Sequence, residues 1–210
     1  LYNNRIFLAD SMKVDLKKKV HDQAEAIFRE KLKKKEITFR LTTTGDTTLN
    51  YAIAQELKIL AKKNERRLTK KNGVLPENTL FEYILERDLN NLEEDLALYM
   101  CDDEAVIWWH RMASRVEYGL QGWQRNRIYP DFIACVNGQK LLVLETKGLQ
   151  LKGNDDTDYK QRLMSMLTDY HSNAIKAGEI NLTDGQHKPL ALTMLMEDDW
   201  RNSFKENCIA

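Results

Sequence analysis

The sequence predicts an α/β fold, a mixed central sheet flanked by helices and preceded by a helical N-terminal extension. Three observations carry this. Ile128 to Val136 and Leu141 to Leu144 are runs of strand formers on either side of Asn137-Gly138, a strong hairpin signal. Leu190 to Met196 is a further apolar run of strand length. Segments with apolar residues at helical spacing stand before, between and after these runs, which is the order that covers a sheet with helices.

Ser11 to Lys35 reads as a long helix, with Ser11 as its cap and Val14, Leu16, Val20, Ala24, Ile27, Phe28 and Leu32 as a loose apolar stripe. Ile37 to Thr44 is strand-prone, and Asp46 to Lys71 reads as a turn and a second helix. Gly73 and Pro76 then mark a break, which divides the chain into a mainly helical extension or connector, 1–75, and a second unit, 76–210. Leu80 to Met100 reads as a helix with Leu89, Leu92, Leu96 and Met100 on one face. Glu93 lies within that face and Glu94 away from it; an acid turned toward a core needs a partner or a metal.

Trp108-Trp109-His110-Arg111 follows. Adjacent tryptophans cannot easily share one core, so one is expected inside and the other against a second element or a ligand, with packing alone the favoured role for both. His110 is expected to be packed and hydrogen-bonded rather than catalytic. Val116 to Trp123 reads as the strand before the hairpin. Beyond the hairpin, Gly148 to Asp158 is a polar loop, Tyr159 to Tyr170 a helix packed through Leu163, Met164, Met166 and Leu167, and Trp200 to Cys208 a short closing helix.

Composition narrows the function classes. The chain has 210 residues, and 32 basic residues balance 32 acidic ones, so the strongly basic signature of a simple nucleic-acid binder is missing. The charge is unevenly spread: Lys58 to Lys71 is basic but for Glu65, and Glu77 to Glu104 is acidic but for Arg87. The basic run is either a phosphate-contacting face or a solvated helix face. Cys101, Cys135 and Cys208 form no CxxC pair and no zinc pattern, and their odd number argues against a disulfide framework. A cytoplasmic protein is expected, since no signal peptide and no run of about 18 apolar residues is visible. Opening on Leu1, the sequence is expected to be a piece of a longer protein.

The chemistry concentrates around the hairpin, in Ile128-Tyr129-Pro130-Asp131-Phe132 and Leu141-Leu142-Val143-Leu144-Glu145-Thr146-Lys147-Gly148. Strand alternation puts Leu141, Val143, Glu145 and Lys147 on one face. Register decides whether Asp131 joins them. A two-residue turn sets Asp131 opposite Leu144, on the wrong side. A three-residue loop, Asn137 to Gln139 with Gly138 left-handed, or a bulge sets it opposite Glu145. The reading favours one of the latter two. Two carboxylates and one ammonium then converge at one end of the hairpin. Such oxygens suit Mg²⁺, which takes one or two carboxylates and keeps several waters. A neighbouring lysine can orient water and offset developing negative charge.

These residues resemble the PD-(D/E)xK nuclease superfamily. The longer run "WWHR … YGLQGWQRNRIYPDF … LVLETKG" is similar to the C-terminal endonuclease domain of the cleavage subunit of type III restriction enzymes, over about Glu77 to Trp200. The resemblance implies a restriction-endonuclease-like sheet and a metal-dependent DNA endonuclease using Mg²⁺, with Mn²⁺ able to substitute. It implies Asp131 and Glu145 as metal-binding acids, Lys147 as the catalytic lysine, and the Thr146 carbonyl as a further metal ligand. Glu93 would match the acid such nucleases carry on a preceding helix, with Glu94 as the alternative, and Gln161 would match a polar residue near the site. Double-stranded DNA is the implied substrate, and an ATP-driven helicase or translocase in the same parent chain or complex the implied partner; this sequence has no GxxxxGK[ST] loop to hydrolyse ATP itself, so either the motor lies N-terminal in a longer parent or the chain is a stand-alone nuclease. Cutting both strands would suggest a dimer. Two other readings remain: a DNA-binding module with little or no cleavage, and a junction or repair nuclease of the same fold.

Overall fold

A computed structural model of the chain describes residues 2–34, 36, 62–81, 84–113, 117, 119–138, 140–173 and 190–209. A four-stranded mixed sheet, in the order β1-β2-β3-β4, forms the centre. Its strands are β1 (Val106–Arg111), β2 (Phe132–Val136), β3 (Lys140–Lys147) and β4 (Leu190–Met196). β1 and β3 each pair antiparallel with β2, while β4 runs parallel to β3. A parallel neighbour requires a crossover, and α3 (Asp155–Asn173) lies within the β3–β4 connection.

Alternation along β2 and β3 divides the core between the two sheet faces. Ile133, Cys135, Leu141 and Val143 pack with Tyr159, Leu163, Met164 and Leu167 of α3. Phe132, Ala134, Val136, Leu142 and Leu144 pack on the other face, with Leu96, Ala97 and Met100 of α2 (Asn91–Asp102) and Phe204 and Cys208 of α4 (Trp200–Ile209). With both faces covered, β2 is buried along its whole length. The tryptophans divide as expected: Trp109 is fully buried on the α2 side, and Trp108 packs half-buried on the α3 side.

Several boundaries differ from the sequence reading. The helix expected from Leu80 starts at Asn91 because Asn90 caps it: the Asn90 side chain accepts from the Glu93 N–H at 3.0 Å, and the Glu93 carboxylate accepts from the Asn90 N–H at 3.1 Å. The strand before the hairpin is Val106–Arg111 rather than Val116 to Trp123, of which the described part contributes only a bridge between Leu120 and Ile128. A register shift between Val106 and Trp108 leaves Ile107 53% exposed, and this bulge hides the alternation from a sequence reading. Residues 62–71, expected to end a helix, instead form turns and an extended stretch in which Arg67 bridges Leu85 and Leu68 enters the core. The expected strand Ile37 to Thr44, and the helix before residue 62 with Lys58, lie outside the described residues.

α1 (Tyr2–Lys33) begins well before Ser11, which lies inside it. Among its described side chains, Phe28 and Leu32 in the last turns join the core, and Glu25 pairs with Arg162 of α3 at 2.8 Å. No helix among the described residues is long and apolar enough to cross a membrane. Among the described residues Cys101, Cys135 and Cys208 form no disulfide, and burial pushes the thiols of Cys101 and Cys208 up to about 11.

Candidate active site

The hairpin register sets the site. β2 and β3 pair from Val136↔Lys140 to Phe132↔Leu144, which leaves residues 137–139 between the strands. Asn137 and Gly138 both adopt left-handed backbone, with φ of 52° and 65°. One position beyond the last pair, Asp131 comes opposite Glu145, as the three-residue loop requires. The ladder changes character here. The Asp131 N–H donates to the Leu144 carbonyl at 2.9 Å, while its side chain acts as the acceptor for the facing strand. Asp131 Oδ2 accepts from the Thr146 N–H at 2.7 Å and from the Thr146 hydroxyl at 2.8 Å.

Glu145 projects from the same face as Val143 and is 2% exposed. Its Oε1 lies 2.7 Å from Lys147 Nζ and 3.0 Å from Lys160 Nζ, and its buried Oε2 has no hydrogen-bond partner among the described residues. Burial, and then the charge of Asp131, raise the Glu145 carboxyl above its ordinary range against the opposing pull of the two lysines. Lys160 is raised: burial works against its charge, but Glu145 and Asp156 outweigh that.

Glu93 reaches this end of the sheet from the first turn of α2. Its carboxylate accepts from Arg111 Nη2 at 3.2 Å, and burial, opposed by Arg111, raises its carboxyl. Arg111 also donates through Nη1 to the Asp131 carbonyl at 2.9 Å and lies over the Phe132 ring, while its Nη2 stands 3.8 Å from Asp131 Oδ1. A guanidinium therefore links the two acids. Among the described residues, no group of three or more acids, histidines or cysteines could hold a metal, so Glu93 does not complete a cluster with Asp131 and Glu145. Arg111 engages Glu93 and not the alternative, Glu94.

The structure brings together Asp131, Glu145, Thr146 and Lys147, with Glu93 joined through Arg111. It leaves Gln161 out. At about 100° per residue, one step along α3 turns Gln161 to the exposed groove that α3 forms with α1, and Lys160 takes the position facing Glu145. The sequence reading missed Lys160 and the role of Arg111. A basic residue on the helix after the Glu-x-Lys strand was visible, but only packing reveals which way it points. Thr146 serves Asp131 as a double donor, a role apart from the carbonyl ligation expected of it.

His110 is packed, as expected. Its Nε2 lies 2.7 Å from Glu117 Oε2, both side chains are buried, and Phe81 stacks against the ring at 4.8 Å. Glu117 Oε2 also accepts from the Ala113 N–H at 2.7 Å. No protein-family model, curated protein or solved structure matches the chain.

Proposed function

We propose that the chain carries a Mg²⁺-dependent DNA endonuclease site on a restriction-endonuclease-like sheet. The observation that supports this best is the pairing of Asp131 and Glu145, two acids set side by side where the hairpin ends, with Lys147 bonded to the second. Burial raises the Glu145 carboxyl most, and repulsion from the like charge of Asp131 raises it further. A divalent cation would relieve that repulsion, and Glu145 Oε2, buried without a partner, offers it a hard oxygen. The donor set thus fits Mg²⁺, or Mn²⁺ in its place, held by Asp131 and Glu145 with the Thr146 carbonyl as a further candidate. Bound there, the metal would supply Lewis-acid chemistry: a more acidic water and charge stabilisation on the phosphoryl oxygen.

The chain's own residues do the rest. Asp131 is fixed by the two donors of Thr146 and, through its carbonyl, by Arg111, so its free lone pairs are aimed before any ligand arrives. Lys147, with a side chain 14% exposed, can turn its ammonium from Glu145 to an attacking water or to the phosphate and offset the negative charge that develops. The substrate in this proposal is double-stranded DNA. The wider setting is the cleavage part of a type III restriction system, driven by an ATP-dependent translocase in the same parent chain or complex.

One observation favours a second reading. Two ammonium groups already balance Glu145, which is also how a non-catalytic ion network would look, so a DNA-binding module is the competing function. Supercoiled plasmid incubated with the chain and Mg²⁺, Mn²⁺ or EDTA separates the two. Metal-dependent nicking, lost in Lys147→Ala, is the expected result. DNA binding without nicking, and without heat on Mg²⁺ or Mn²⁺ titration, would overturn the nuclease in favour of the binding module.

A further inference from the structure

The two lysines at Glu145 are not equivalent. Both approach the same oxygen, Oε1, at 2.7 Å for Lys147 and 3.0 Å for Lys160. Among the described residues Lys147 pairs with no other acid. Lys160 has a second partner, Asp156, one turn earlier on α3, with Oδ2 3.5 Å from its Nζ. The Asp156 side chain is 66% exposed, so a lysine moved onto it would sit in water at little cost, whereas the Glu145 side chain is 3% exposed. Lys160 is thus strung between a buried acid and an exposed one.

Charge balance gives this arrangement a consequence. With both lysines in place, Glu145 and Asp131 face two ammonium charges, and Arg111 with Glu93 beside them adds one charge of each sign. A divalent cation on the same acids would bring the total to five positive against three negative in a poorly solvated space, which favours the departure of one cation. Lys147 can turn to water or phosphate, but it has no second acid among the described residues to receive it. Lys160 needs only side-chain rotations to pass from Glu145 to Asp156.

We propose that Lys160 is a displaceable clamp on Glu145: it holds the carboxylate while the site is metal-free, competes with the metal for it, and moves to Asp156 when the metal binds. This rests on the metal-site reading above and adds a regulatory residue to it. Lys160 acts through Glu145 and is a positioning residue. The device keeps Glu145 oriented and makes metal affinity depend on a residue that is not a metal ligand.

The test is calorimetric titration of the whole chain with Mn²⁺ alone, across a double-mutant cycle of Lys160→Met and Asp156→Asn. Lys160→Met is expected to bind Mn²⁺ about tenfold more tightly, and Asp156→Asn several-fold more weakly, because the displaced lysine loses its second partner. Simple charge effects would give the same signs, so the decisive measurement is the double variant. If Asp156 acts through Lys160, Asp156→Asn has no further effect in the Lys160→Met background. An equal loss in both backgrounds would overturn the clamp and leave only additive electrostatics. Unchanged or weaker affinity in Lys160→Met would overturn it too, provided circular dichroism and thermal melting show the variant folded. If the unmutated chain takes up no Mn²⁺, the metal-site reading fails and the clamp with it; Mn²⁺ uptake with an additive cycle removes the clamp alone.

Discussion

Two buried carboxylates, each 2% exposed, show how differently the same group can be housed in one domain. Glu117 accepts from His110 and from the Ala113 N–H, and the Glu117 N–H returns a bond to the Ala113 carbonyl at 3.0 Å. These bonds tie residues 113 and 117 together next to β1, and no second acid among the described residues joins the network. Glu145 is bonded by two lysines and sits beside another acid, Asp131, that pushes its proton affinity up. Each has one oxygen without a partner. The comparison teaches that an orphan oxygen alone is not a site. What separates the two is the company of a like charge, which costs free energy in a buried place unless something of opposite charge is meant to enter.

The largest expected effect breaks the comparison on the functional side. Glu145→Gln keeps the shape and removes the charge, so plasmid nicking should fall by roughly a thousandfold or more, with Asp131→Ala doing the same. Glu117→Gln should leave nicking intact. Nicking that survives in Glu145→Gln would place the two carboxylates in one structural class and remove the catalytic proposal.

On stability the order reverses. Glu117→Ala strands the His110 ring nitrogen and the Ala113 N–H in a dry place, a loss of about 2–4 kcal/mol. For a domain of this size the melting temperature should drop by roughly 5–15 °C. Glu145→Gln relieves the repulsion with Asp131 and leaves Lys147 and Lys160 facing a neutral amide; both ammonium groups reach solvent and Lys160 keeps Asp156, so the melting point should move much less. Thermal melts followed by circular dichroism compare the pair directly; equal losses would mean that Glu145 is as structural as Glu117.

These contrasts also mark what the sequence could disclose. Asp131, Glu145 and Lys147 were legible because strand alternation and hairpin arithmetic are local, and a loop of residues 137–139 fixes the face. β4 and α4 were legible from short apolar runs, with bounds close to those observed. β1 was not, because the bulge at Ile107 and two adjacent tryptophans erase the alternation. The start of α2 was hidden because the Asn90–Glu93 capping box sits inside a longer apolar run. Arg111 and Lys160 joined the site through packing of distant elements, and Glu117 gave no signal at all. Gln161, chosen from the right helix, was one residue away from the side chain that faces the site.

pH offers a smaller effect with a definite sign. Burial, and then Asp131, hold the Glu145 carboxyl above its ordinary value of 4.5, and burial does the same for Glu93 against the pull of Arg111. The folded chain keeps these protons at pH values where the unfolded chain has released them. Stability therefore falls as pH rises from 4.5 through the raised folded values. Melting temperatures taken from about pH 4.5 to 8 should show this slope, flattened in Glu145→Gln and offset at the upper end by Mg²⁺. A slope unchanged in Glu145→Gln would mean that Glu145 is not the group responsible.

The smallest effect tests whether Asp131 belongs with Glu117 or with Glu145. Its Oδ2 is held by the Thr146 N–H and hydroxyl, a pattern closer to a structural staple. Thr146→Val removes the hydroxyl bond alone and should cost about 0.5–1.5 kcal/mol, a melting shift of a few degrees. The backbone N–H still aims the carboxylate, so Mn²⁺ affinity and nicking should stay within about threefold of the unmutated chain. A loss of metal binding as large as that in Asp131→Ala would mean that the hydroxyl, not the strand, orients Asp131. A melting shift as large as that of Glu117→Ala would make Asp131 chiefly a fastener of the hairpin end, and Glu145 would then stand alone as the acid whose surroundings ask for a cation.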